Sequence, residues 1–129
     1  MTDPHPQQRR HFARIRFDTE YQLRVPSENT TWTGKLVDLS LHGALIKRPQ
    51  DFDHAIGDKL ELELRLSQDD IKIDMQAHIA HVHDDLIGLE CEHIDVESMT
   101  HLRRILELNL GDPHLMEREI PEMIERYKS

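Results

Sequence analysis

The stretch KLELELRL, Lys59 to Leu66, sets Leu60, Leu62, Leu64 and Leu66 at every second position, with Glu61, Glu63 and Arg65 between them. An extended chain points successive side chains to opposite faces, whereas a helix would scatter these leucines around its circumference. The stretch is therefore a half-buried strand. Gln68-Asp69-Asp70 supplies a hairpin turn, and Ile71, Ile73, Met75, Ala77 and Ile79 repeat the alternation on a returning strand. Asp84-Asp85 mark the next turn, followed by an apolar sixth strand over Leu86 to Cys91. Upstream, a first strand begins at Arg14 and carries Ile15, Phe17, Tyr21, Leu23 and Val25. The turn cluster Pro26-Ser27-Glu28-Asn29 leads to a second strand over Thr31 to Leu39. Ser40-Leu41-His42-Gly43 breaks that strand, and Ala44 to Lys47 forms a short third. Six short strands on short turns predict an antiparallel barrel or sandwich and argue against a βαβ fold.

Past Asp95 the period changes. Met99, Leu102, Ile105, Leu106 and Leu110 share one helical face, with Ser98 the expected cap. Gly111-Asp112-Pro113 ends this helix and starts another segment, whose stripe is Leu115 or Met116, Ile120, Met123, Ile124 and Tyr127. Pro121 predicts a kink or a break within it.

The 129 residues fit one compact domain, and 37% hydrophobic with 5% aromatic content implies a small aliphatic core. A multidomain enzyme and a large buried active-site cavity are both excluded. No apolar run is long enough to span a membrane, and the first residues lack the apolar stretch of a secretory signal. The single cysteine, Cys91, agrees with a reducing cytoplasm. A formal net charge of −9 disfavours nucleic acid and anionic membrane surfaces as partners. That charge is uneven: residues 1–16 carry Arg9, Arg10, Arg14 and Arg16 against Asp3 alone, a local +3, which leaves −12 on the remainder. A compact basic knot on an acidic body suits a small anion.

Two short patterns accompany that knot. One is Arg10-His11-Phe12-Ala13-Arg14, an R-x-x-x-R run preceded by Arg9; the other is Asp38-Leu39-Ser40-Leu41-His42-Gly43, a D-x-S-x-x-G run at the end of the second strand. Separately, each is weak, because such runs are common in Arg-bearing segments and ordinary turns. Together, 24 residues apart and on a six-stranded domain with a C-terminal helix, they are specific. The chain resembles the PilZ domain family, bacterial receptors for the second messenger cyclic di-GMP. The resemblance implies a mainly β fold: a six-stranded antiparallel PilZ-type barrel with one or two C-terminal helices. The expected organisation is a flexible segment over 1–13 carrying the arginines, then a barrel over 14–129 whose helices occupy 98–129.

The ligand's chemistry suits these residues. An arginine fork engages guanine O6 and N7 bidentately, binds phosphate or stacks on a purine. Asp38 can accept from guanine N1–H and N2–H, Ser40 offers a hydroxyl, and Gly43 permits close backbone approach. By resemblance, Arg10, Arg14, Asp38, Ser40 and Gly43 take the family's ligand-binding roles. Arg9 extends the first motif and favours two stacked ligand molecules per monomer. His81 is a weaker candidate, offering an imidazole to stack on guanine.

The resemblance also implies a non-catalytic, cytoplasmic, monomeric receptor with no cofactor and no metal. Its termini would change conformation on binding and signal to an unidentified effector, one with a basic surface if the acidic body is what it meets. The alternatives are an adaptor that keeps the barrel without binding nucleotide, and a small metal-dependent hydrolase. The hydrolase would use His81, His83, Asp84 and Asp85, which lack a further ligand at recognised spacing. Cys91 and Trp32 read as packing residues.

Overall fold

The structure, a computed structural model, describes residues 19–66 and 71–128. Among the described residues, six strands, β1 (Glu20–Val25), β2 (Thr30–Ser40), β3 (Gly43–Lys47), β4 (Lys59–Leu66), β5 (Ile71–His83) and β6 (Leu86–Ile94), precede three helices. These are α1 (Val96–Leu110), α2 (Pro113–Met116) and α3 (Ile120–Lys128). The strands close into an antiparallel barrel in the order β1-β2-β3-β6-β5-β4, with β1 returning to pair with β4. Closure removes the unpaired edges that an open sheet of this size would expose. The expected first strand begins before the described residues, and its described part is β1.

The alternation that identified β4 and β5 is the barrel's inside and outside. Leu60, Leu62, Leu64, Ile73, Met75, Ala77 and Ile79 are buried, and Leu62 sits opposite Met75 and Leu23. Tyr21, Leu39, Ala44, Ile46, Ile87 and Leu89 complete the interior, and Leu102, Leu106 and Leu110 of α1 join the same core. Trp32 is a packing residue: half-buried, it meets Phe52 edge-on at 5.0 Å and His54 at 5.6 Å. β3 is buried at four consecutive residues because it is covered on both faces. Its inner face belongs to the barrel, while Leu45 packs outward with Leu86, Ile120 and Met123 beneath α3.

The helical region departs from expectation in two places. Asp95, rather than Ser98, caps α1: its carboxylate accepts from the Ser98 N–H at 3.3 Å. Ser98 lies inside the helix, where its hydroxyl accepts from the Asp74 N–H at 3.0 Å and ties α1 to β5. Asp95 takes the cap because its carboxylate reaches the Ser98 N–H three residues on, one of the donors of the first turn that have no helical carbonyl to bond. Gly111 closes α1 in the left-handed conformation (φ 70°), and Asp112-Pro113 start α2 as expected. Pro121 neither kinks nor ends a helix. It is the second residue of α3, where its missing N–H costs no helical bond, and the break falls earlier, over residues 117–119.

Tyr21 links the interior to the strand ends, its hydroxyl donating to the Lys47 carbonyl at 2.8 Å. Burial pushes the phenol from its ordinary 10.0 up to about 12. The folded chain thus keeps a proton that the unfolded chain releases. The contribution of Tyr21 to stability is fully present below pH 10 and is lost as pH rises through about 12. Tyr21→Phe leaves the Lys47 carbonyl without its donor, and urea unfolding near neutral pH is expected to show a loss of about 1–2 kcal/mol. The same variant lacks the alkaline loss of stability between pH 10 and 12.

Candidate functional site

A β-bulge aims the D-x-S-x-x-G motif. Along β2, Leu36 pairs with Ile46 and Asp38 pairs with Leu45, so Val37 is an extra residue without a partner. Strict alternation would turn Asp38 into the barrel; the bulge instead puts it on the outer face, beside the outward Leu45. Ser40 follows two residues later on the same face, paired with Gly43 across the Leu41-His42 turn. A Cβ at Gly43 would collide with the Leu89 carbonyl oxygen, so glycine lets β3 begin in contact with β6. His42 accepts from the Cys91 N–H at 2.8 Å through its own carbonyl, which anchors the turn to β6.

The outward carboxylate is not in water. Asp38 is only 5% exposed, Ser40 is fully buried, and a cation absent from the sequence-based set, Arg118, is buried with them at 2% exposure. Arg118 Nη1 donates to Asp38 Oδ2 at 2.7 Å and Nη2 donates to Oδ1 at 3.0 Å, a two-pronged fork. Nη2 also reaches the Leu39 carbonyl at 3.2 Å, and Nε donates to the Leu115 carbonyl at 2.7 Å. The backbone joins in. Ser40 Oγ donates to the Arg118 carbonyl at 2.8 Å and accepts from the His42 N–H at 3.2 Å, while the Leu41 N–H donates to the Met116 carbonyl at 2.7 Å. His42 Nε2 lies 3.4 Å from Glu117 Oε1 and 3.6 Å from Glu119 Oε2. Residues 116–119 therefore lie as a strap across the motif. Desolvation holds the Asp38 carboxyl above its usual range, and the Arg118 fork and the Leu39 N–H offset only part of that rise.

His81 stands opposite Gly88 in the β5–β6 ladder, where a Cβ on Gly88 would collide with Ile120 Cγ2 and come within 3.4 Å of the His81 Cβ. It thus sits beside the first residue of α3, next to the strap rather than on Asp38. Arg9, Arg10 and Arg14 lie outside the described residues. The hydrolase constellation is not assembled: His83 Nε2 is 3.4 Å from Asp84, and Asp85 is engaged by Lys47 at 2.9 Å. Among the described residues no group of three metal-ligating side chains converges. Burial raises the pKa of the half-buried Cys91 thiol, which weakens it as a nucleophile. A cleft of about 420 Å³ lies elsewhere, lined by Arg24, Glu61, Glu63, Lys72 and Asp74, and neither Asp38, Ser40 nor Gly43 borders it.

Arg118 escaped the sequence reading because its partner is 80 residues away. The available signal was its setting in Met116-Glu117-Arg118-Glu119-Ile120, a lone arginine between carboxylates in a helical stripe that has to pack. Breaking the pair by Asp38→Ala strands a buried guanidinium, and urea unfolding is expected to show a loss of about 3–5 kcal/mol. Asp38→Ala combined with Arg118→Ala should lose less than the two single losses together, which a double-mutant cycle measures.

The PilZ domain family model matches residues 8–108 of this chain. Among solved structures, the PilZ domain of CeSA from a cellulose-synthesizing bacterium is 15% identical, with a TM-score of 0.51 over 71% of this chain and 89% of that one. The Bacillus subtilis inhibitor of motility MotI/DgrA is 17% identical, with a TM-score of 0.58 over 78% of this chain and 48% of that one. At such identities these neighbours speak for the fold, the six-stranded barrel described above. Among the described residues no helix is long and apolar enough to cross a membrane. With the family model spanning most of its length, the chain belongs to the PilZ domain family.

Proposed function

We propose that this chain is a non-catalytic receptor for cyclic di-GMP that passes the binding event to a downstream protein. The observation that carries the reading is the outward Asp38 carboxylate, held by a bulge on the barrel wall and engaged by paired N–H donors. Guanine presents N1–H and N2–H side by side, the donor pattern such a carboxylate takes. Ser40 stands one alternation further along the same face. The arginines of the first motif, Arg10 and Arg14 with Arg9 before them, supply what the carboxylate lacks: cations for two phosphodiesters and flat guanidinium planes for the purines. Arg9 favours a stacked ligand pair.

In the proposed mechanism the ligand gathers Arg9, Arg10 and Arg14 against the Asp38–Gly43 loop. Neutralising that +3 knot leaves the −12 body as the dominant surface charge, suited to an effector with a basic face. A second reading has one observation in its favour. Asp38 already has an intramolecular partner, as it would in an adaptor that keeps the barrel and takes no nucleotide.

Calorimetric titration with cyclic di-GMP separates the two. The receptor reading expects affinity in the micromolar range or tighter, about −8 kcal/mol or better, with one or two ligands per chain. Arg14→Ala should weaken binding at least about tenfold, the cost of a lost bidentate contact. No binding at millimolar ligand would leave the adaptor.

A further inference from the structure

We propose that the outward face of α1 is a docking groove for an acidic amphipathic helix of a partner protein. The receptor and the adaptor readings both require a partner, and neither says where it attaches; the inference supplies that place and holds under either. Met99, Arg103 and Glu107 form one row of side chains along α1, and Thr100, Arg104 and Leu108 form the row beside it. The groove they line has a volume of about 550 Å³. Rows four residues apart are the ridges of a helix surface, and a ridge on a second helix seats in the groove between them.

The inward face of α1 is already committed. Leu102, Leu106 and Leu110 are buried in the core, and Ser98 ties the helix to Asp74, so the outward face is held on a fixed base. That face leaves apolar side chains in water. Val96 is 83% exposed and Leu108 is 76% exposed, more than any other large hydrophobic among the described residues. They stand near the two ends of the helix, about 18 Å apart along its axis. Between them lie Arg103 and Arg104, both exposed, and among the described residues neither side chain is in an ion pair. Arg24, Lys47 and Lys72, by contrast, each meet a carboxylate. Glu107 is the single carboxylate lining the groove, so the groove carries +1 on a chain of −9. This charge selects the occupant. A second copy paired through this face about a two-fold axis would set the central arginines against their own counterparts. A helix with carboxylates in the middle of an apolar stripe matches the order apolar, basic, apolar.

The probe is a synthetic helical peptide with two glutamates at the centre of a leucine stripe, titrated against the full chain by fluorescence anisotropy. Its counterpart carries lysines in place of the glutamates. The glutamate peptide is expected to bind saturably in the micromolar range, and more tightly than the lysine peptide. Arg103→Glu combined with Arg104→Glu should weaken it at least about tenfold, and Leu108→Glu should do the same. Lys35→Glu combined with Arg48→Glu makes an equal change of net charge away from α1 and should leave the affinity within about twofold. Thermal melts check that each variant is folded; should either α1 variant fail, the other carries the test. Equal binding by the α1 variants and the parent overturns the groove, as does preference for the lysine peptide or no binding of the glutamate peptide. A dimer of the chain alone in sedimentation equilibrium, dissolved by Leu108→Glu, overturns it as well and gives the face to a second copy. The titration with cyclic di-GMP is a separate measurement, so failure of the groove leaves the functional reading where that titration puts it.

Discussion

A carboxylate and a guanidinium withdrawn together from water set the terms for this molecule. Each alone would be costly to bury, and the two-pronged fork offsets part of that cost while Nε and Nη2 also find carbonyls. Asp38 is shielded under the C-terminal region with Arg118 as its partner, and the strap is held across the motif by Asp38 together with the Ser40 and Leu41 hydrogen bonds and the packing of Ile120. A buried apolar contact tolerates small shifts; a buried ion pair is closer to made or broken.

Much of the fold was legible because it is local. The leucine alternation in Lys59 to Leu66 could be satisfied only by a strand, and its repetition over Ile71 to Ile79 matched the antiparallel partner. Gly111-Asp112-Pro113 marked a helix end because only glycine takes the left-handed closing conformation readily and proline cannot continue a helix. Where two residues could do one job, the sequence was ambiguous: Asp95 and Ser98 both qualified as caps, and three-dimensional position gave Ser98 a different bond, to Asp74. Pro121 was read as a fault in a helix when it is a start signal, an ambiguity built into proline itself.

The site was legible in its chemistry and not in its state. Asp38, Ser40 and Gly43 announced themselves by spacing, and the structure gives each a definite place: two outward polar groups and a close crossing of β3 with β6. Nothing local in the sequence reveals the bulge at Val37 that turns Asp38 outward, since it depends on the register between β2 and β3. Nor does it reveal Arg118, whose role is created by bringing residues 38 and 118 together. Long-range polar pairs are the part of a structure that periodicity cannot encode.

These features give the family barrel a particular character in this chain: a D-x-S-x-x-G loop whose carboxylate and hydroxyl are both engaged within the chain. The most direct test is nitrogen-resolved NMR of the Arg118 guanidinium. In the free protein, its Nη protons should be resolved and slow to exchange, held by Asp38 and Leu39. Nη protons in rapid exchange with water would contradict the account, because Arg118 and Asp38 would then not be paired away from solvent.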